Sequence, residues 1–78
     1  DSMKEKVKEV LASLLKVKTE ELKDGVSLQD GIGVDSTEMV ESVIALEKAF
    51  GVKLNVKEIT KNSTIEEIAN NIQSKLAK

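Results

Sequence analysis

Ser36 is the residue of this sequence best suited to do chemistry. It closes the run Gly31-Ile32-Gly33-Val34-Asp35-Ser36, where a glycine-rich stretch meets the start of an apolar-periodic segment. A serine at the first helical position projects its hydroxyl outward, unshielded by a preceding turn. A phosphate ester on that oxygen would sit beside the unpaired backbone N–H groups of the helix end, where negative charge is favoured. The helix end contributes about 0.3–1 kcal/mol for one charge at a surface site, enough to favour a modification and too little to demonstrate one. Asp35-Ser36 also suits an ordinary helix start, since both residue types are good caps.

The remaining inventory offers little other chemistry. The 78 residues include no His, Cys, Pro, Trp, Tyr or Arg, and a single Phe. That excludes thiolate and imidazole metal sites, Ser-His and Cys-His nucleophile pairs, and imidazole acid–base work. With no Arg and almost no aromatic surface, there is little to stack on bases or grip a phosphate in two places. A net charge of -2 gives no basic field for nucleic acid or anionic lipid. No resident metal is expected, and catalysis by the chain alone is not expected either. No apolar run approaches the roughly 20 residues of a membrane span, and no signal-peptide core opens the chain. The absence of cysteine fits a reducing compartment, and a cytoplasmic location is the default expectation. Asp1 and Ser2 precede Met3, an arrangement compatible with a tag remnant ahead of a native start.

Helices must position the serine. Met3, Val7, Val10, Leu11, Leu14 and Leu15 recur at steps of three and four, so a first amphipathic helix runs to about Val17, capped by Ser2 with Glu5. Thr19 to Leu22 adds a helical turn. Residues 23–34, with three of the four glycines, read as a long loop whose apolar residues lie against the core. Asp35 and Glu38 then form a capping box for a second helix carrying Met39, Val40, Val43, Ile44, Leu46 and Phe50, which Gly51 ends. Asn55 with Glu58 predicts a short third helix holding Val56 and Ile59. Ser63 with Glu66 opens a fourth, with Ile65, Ile68, Ala69, Ile72 and Leu76 on one face. At 40% apolar and 33% charged residues the chain is foldable. The expected architecture is all-α: residues 1–78 as one small bundle of three main antiparallel helices plus one short helix.

The stretch Gly33-Val34-Asp35-Ser36-Thr37-Glu38-Met39-Val40-Glu41, continuing Ser42-Val43-Ile44-Ala45-Leu46-Glu47-Lys48-Ala49-Phe50-Gly51-Val52, resembles the acyl carrier protein family. That family carries an Asp-Ser pair at the start of the second of four helices. A Val-Glu, an Ala-Leu-Glu and a Phe or similar residue follow along the same helix. The similarity covers nearly the whole chain, through Thr64-Ile65-Glu66-Glu67-Ile68 at the opening of the last helix.

The resemblance implies that Ser36 is the attachment point of 4′-phosphopantetheine, transferred from coenzyme A by a phosphopantetheinyl transferase that needs a divalent metal. Asp35 would position that enzyme and its metal. The thiol of the arm would carry acyl groups as thioesters between acyl-transferring and chain-elongating enzymes, in fatty acid, specialised lipid or polyketide biosynthesis. The chain would then be a carrier, not an enzyme, and a monomer. By the same resemblance Thr37, Glu38, Glu41 and Glu47 would meet partner enzymes, and Val40, Ile44, Leu46, Ile59 and Ala69 are candidates for an acyl cavity. All of these also fit plainer roles, as core residues or as a solvated helix face.

Three features depart from the family pattern. Thr37 stands where an apolar residue is usual, Lys53, Lys57 and Lys61 put positive charge around the third helix, and the net charge is mild. They favour a dedicated carrier over the housekeeping carrier of fatty acid synthesis. The competing class is a non-carrying helical bundle that binds partners through its second helix.

Overall fold

Small polar residues decide where the helices begin. The computed structural model describes residues 2–77, so Asp1, the first residue of the suggested tag remnant, lies outside the described residues. Four α-helices follow one another: α1 (Met3–Leu15), α2 (Leu28–Ile32), α3 (Ser36–Phe50) and α4 (Ile65–Leu76), with a 3-10 turn at Thr19–Glu21. Ser2 Oγ accepts from the Glu5 N–H at 3.2 Å, and Ser27 Oγ accepts from the Asp30 N–H at 3.2 Å. Asp35 and Thr64 open α3 and α4 with complete capping boxes, each exchanging bonds with the glutamate three positions on. Among the described residues there is no strand, only an isolated antiparallel bridge between Ser27 and Thr64. The all-α class with three long helices and a short one is therefore observed.

α1 packs against both α3 and α4. Its Val7 and Leu11 are fully buried and belong to one core with Met39, Val43 and Leu46 of α3 and Ile65, Ile68, Ala69 and Ile72 of α4. Each buried aliphatic side chain of this size stabilises the fold by about 1.5–3 kcal/mol relative to exposure. Leu22, Leu28 and Val34 bring the connecting segment into the same core. Asp24 ties that segment down twice. Its carboxylate lies 2.7 Å from Lys8 Nζ and 3.6 Å from Lys4 Nζ, while its carbonyl accepts from the Glu66 N–H at 3.3 Å.

Four boundaries differ from the sequence expectation. α1 stops at Leu15, because Lys16 turns into the left-handed region at φ 59°. The stretch read as loop contains α2, a helix too short to form by propensity alone. It is held by neighbours instead: the Leu28 N–H donates to the Ser63 carbonyl at 3.1 Å and the Gln29 N–H to the Lys61 carbonyl at 2.9 Å. No helix forms at Asn55–Ile59. There the Glu58 and Ile59 N–H groups both converge on the Asn55 carbonyl, at 2.9 and 3.1 Å, and the Asn55 side chain accepts from the Lys57 N–H at 2.8 Å, giving a tight turn that does not propagate. Finally, Thr64 and not Ser63 caps α4. Ser63 is buried, and its Oγ accepts from the Thr60 N–H at 3.1 Å.

Candidate functional site

Ser36 is the first residue of α3 and is exposed. Gly33 ends α2 at φ 66°, a conformation that suits glycine, and so allows the chain to reverse into the N-terminus of α3 within two residues. At that N-terminus Asp35 Oδ1 accepts from the Glu38 N–H at 2.8 Å, and Glu38 Oε1 accepts from the Asp35 N–H at 3.0 Å. The reciprocal pair fixes the first turn while Ser36 stays exposed.

A cavity of about 300 Å³ opens from the same residue. One wall is a face of α3, with Ser36, Met39, Val40 and Val43 at steps of three and four; the other is the turn segment carrying Val56, Ile59, Thr60, Lys61 and Asn62. The turn segment has no helix to stiffen it, so hydrogen bonds do that work. The Asn62 N–H donates to Thr60 Oγ1 at 3.2 Å, the Ser63 N–H donates to the Thr60 carbonyl at 2.9 Å, and α2 holds the Lys61 and Ser63 carbonyls. Apolar side chains form the walls, with polar groups at Ser36 and at residues 60–62. This arrangement suits a flexible arm fixed at the serine with an apolar group folded inward. The residues therefore fit 4′-phosphopantetheine: a free hydroxyl at a helix start, an adjoining apolar cavity, and one cation on its lining.

The expected site residues fall into separate places. Asp35, Ser36, Thr37 and Glu41 are exposed together at the start of α3, and Glu38 is half-buried within the capping box. Val40 and Ile59 line the cavity. Ile44 is 45% exposed and outside the cavity lining, while Leu46 and Ala69 are buried in the core, also away from that lining. Glu47 is half-buried, and its Oε2 accepts from the Leu54 N–H at 2.8 Å, which anchors the connector after α3. Met39, Val43, Val56, Thr60, Lys61 and Asn62 line the cavity without having been singled out for it. Met39 and Val43 share the helical stripe of Ser36 and Val40, so periodicity contained that signal. The turn residues had none, because their role depends on how the segment folds back.

Among the described residues, no group of three or more acidic side chains is arranged to hold a metal ion, and no helix is long and apolar enough to cross a membrane. The family described as "Phosphopantetheine attachment site" matches residues 5–72. An acyl carrier protein of Petrotoga mobilis is 36% identical over 76 residues, covering 97% of this chain and 89% of that protein. Similarity of that extent, over a chain whose helix-start serine opens onto an apolar cavity, makes it a member of the acyl carrier protein family, whose prosthetic group is covalently attached 4′-phosphopantetheine.

Proposed function

We propose that this chain carries acyl groups on a 4′-phosphopantetheine arm attached to Ser36 Oγ. The observation that carries the reading is that Ser36 is at once exposed at the start of α3 and part of the lining of the apolar cavity. A group fixed there is open to enzymes in solution and adjacent to a shelter. When bound, the arm supplies a thiol that takes up and gives up acyl groups. The chain's own residues do the rest. Asp35 keeps the N-terminus of α3 formed through Oδ1, and its exposed carboxylate is the group that positions the transferase and its metal. Val40, Val43, Val56 and Ile59 exclude water from a folded-in acyl chain.

Partners are a phosphopantetheinyl transferase and acyl-transferring and chain-elongating enzymes, met by monomeric protein. Thr37, Val40, Glu41 and Ile44 share one exposed face of α3 beside the arm, which supports docking there. Exposed Thr37, Lys53 and Lys57 favour a dedicated pathway, such as specialised lipid or polyketide synthesis, over housekeeping fatty acid synthesis. Malonyl loading and elongation by a housekeeping synthase should be slower than with that synthase's own carrier, and equal rates would remove this assignment. Attachment is tested by intact mass after incubation with coenzyme A, magnesium and a broad-specificity transferase. The wild-type chain gains one phosphopantetheinyl group and Ser36→Ala gains none. No gain in the wild type would leave the non-carrying interaction module as the reading.

A further inference from the structure

Of the three lysines that set this sequence apart around residues 53–61, only Lys61 reaches the cavity that holds Ser36. Lys53 and Lys57 are exposed, whereas Lys61 is half-buried and is the one charged residue on the cavity lining. No carboxylate of the described residues lies within ion-pair distance of its ammonium group. Its backbone is held by α2, because the Gln29 N–H donates to its carbonyl at 2.9 Å. A cation held by its backbone on the polar part of the lining, with no carboxylate partner, is placed to receive an anion that enters there.

The arm on Ser36 brings one. Its phosphodiester adds a negative charge next to the Asp35 carboxylate, and Asp35 already takes up the Glu38 N–H that could otherwise have served it. Like charges so close repel, and the field of a helix end alone offsets little of that. A lysine ammonium is a compact charge able to meet one phosphate oxygen, and partly buried pairs are screened less than pairs on open surface.

Resting on the function proposed above, we propose that Lys61 is the counter-charge of the Ser36-linked phosphodiester. It holds the first part of the arm against the cavity mouth and so directs the arm inward. Lys61 is a positioning residue, and its effect does not depend on the cargo.

The test uses wild-type, Lys61→Gln and Lys61→Arg chains, each loaded with the bare arm and checked by intact mass. Amide spectra before loading establish that the variants fold alike. On loading, the Lys61 side-chain Cε resonance should shift while those of Lys53 and Lys57 stay in place. Nuclear Overhauser contacts from the arm's methyl groups to Val40 and Val56 should be present in the wild type, lost in Lys61→Gln and retained in Lys61→Arg. Molar salt should weaken them in the wild type. A mass gain with no Lys61 shift, or with unchanged arm contacts in Lys61→Gln, overturns this proposal alone. The same chains loaded with a carboxylate-bearing acyl group are the control, and an effect seen only with that cargo assigns the cation to the cargo and overturns the proposal. Absence of any mass gain removes the function proposal and this one with it.

Discussion

The carboxylate of Glu47 accepts a hydrogen bond from the backbone N–H of Leu54 at 2.8 Å, across the reversal that follows α3. Gly51 turns the chain there at φ 67°, its N–H donating to the Glu47 carbonyl at 2.8 Å, so one residue holds both ends of the reversal. Leu54 is buried, and removing the acceptor leaves a poorly solvated N–H unpaired. Glu47→Ala should lower stability by about 1–3 kcal/mol, and Glu47→Gln, which keeps an acceptor, by no more than about 1.5 kcal/mol. Urea unfolding midpoints check both. Equal losses would show that the hydrogen bond is not the source.

A second prediction concerns acid. The hydrogen bond from Lys8, reinforced by the charges of Lys8 and Lys4, holds the Asp24 carboxyl below its ordinary 3.8. The same hydrogen bond, with the charges of Asp24 and Glu5, holds Lys8 above its ordinary 10.5. A depressed carboxyl stabilises the fold fully above its unfolded value and loses that contribution as pH falls through the lower folded value. The stability difference between wild type and Asp24→Asn should therefore be full at neutral pH and shrink as pH drops below 3.8. The raised Lys8 gives the mirror case, its contribution full below 10.5 and lost as pH rises through the higher folded value. Unfolding curves against pH would contradict this if the acid-side difference stayed constant.

Lys16 is the described non-glycine residue with positive φ, at the C-cap of α1. A side chain in the left-handed region crowds the following carbonyl, and glycine does not. Lys16→Gly should raise stability by about 1 kcal/mol or less, which for a domain this small moves Tm up by at most about 8 °C. A calorimetric scan showing a lower Tm would mean that Lys16 makes a contact worth more than its backbone strain.

The cavity walls should separate stability from shelter. Ile59 is 2% exposed, so Ile59→Ala should cost about 2–5 kcal/mol. Val40 is 48% exposed, so Val40→Ala should change stability by no more than about 0.5 kcal/mol. With a medium-chain acyl cargo, Val40→Ala should nevertheless release it faster to hydroxylamine than wild type does. Unchanged release would show that the cargo does not use this cavity.

The long helices were legible in the sequence because their buried stripes repeat at helical spacing and their caps are local. Asp35 with Glu38 and Gly51 after Phe50 mark α3 at both ends without any tertiary contact. Leu28 and Val34 are buried, as expected of a connecting segment lying on the core, whereas Val26 of the same segment is 37% exposed. What stayed hidden depends on distant partners. α2 exists because residues 61–63 accept its first N–H groups, and that pairing spans more than thirty residues. Asn55–Ile59 carried a good cap signal and still did not become a helix, since its cap bonds close a turn. Ser63 and Thr64 both have a glutamate three positions on, and burial of Ser63 decides between them. At the site, Ser36 and Asp35 stood out by position alone, whereas Lys61 and Asn62 enter only through the path of the backbone. Glu47 looked like a surface charge until the reversal brought Leu54 to it.

Ser36 is proposed as the single attachment point of the arm. The chain has seven serines, Ser2, Ser13, Ser27, Ser36, Ser42, Ser63 and Ser74. Ser42 and Ser63 are buried, and Ser42 Oγ donates to the Glu38 carbonyl at 2.7 Å. Fragmentation mass spectrometry of the transferase-loaded chain locates the modified serine. A single phosphopantetheinyl group is expected on a fragment containing Ser36, with every other serine unmodified. A group localised to any other serine, or no group after exhaustive loading, would contradict it.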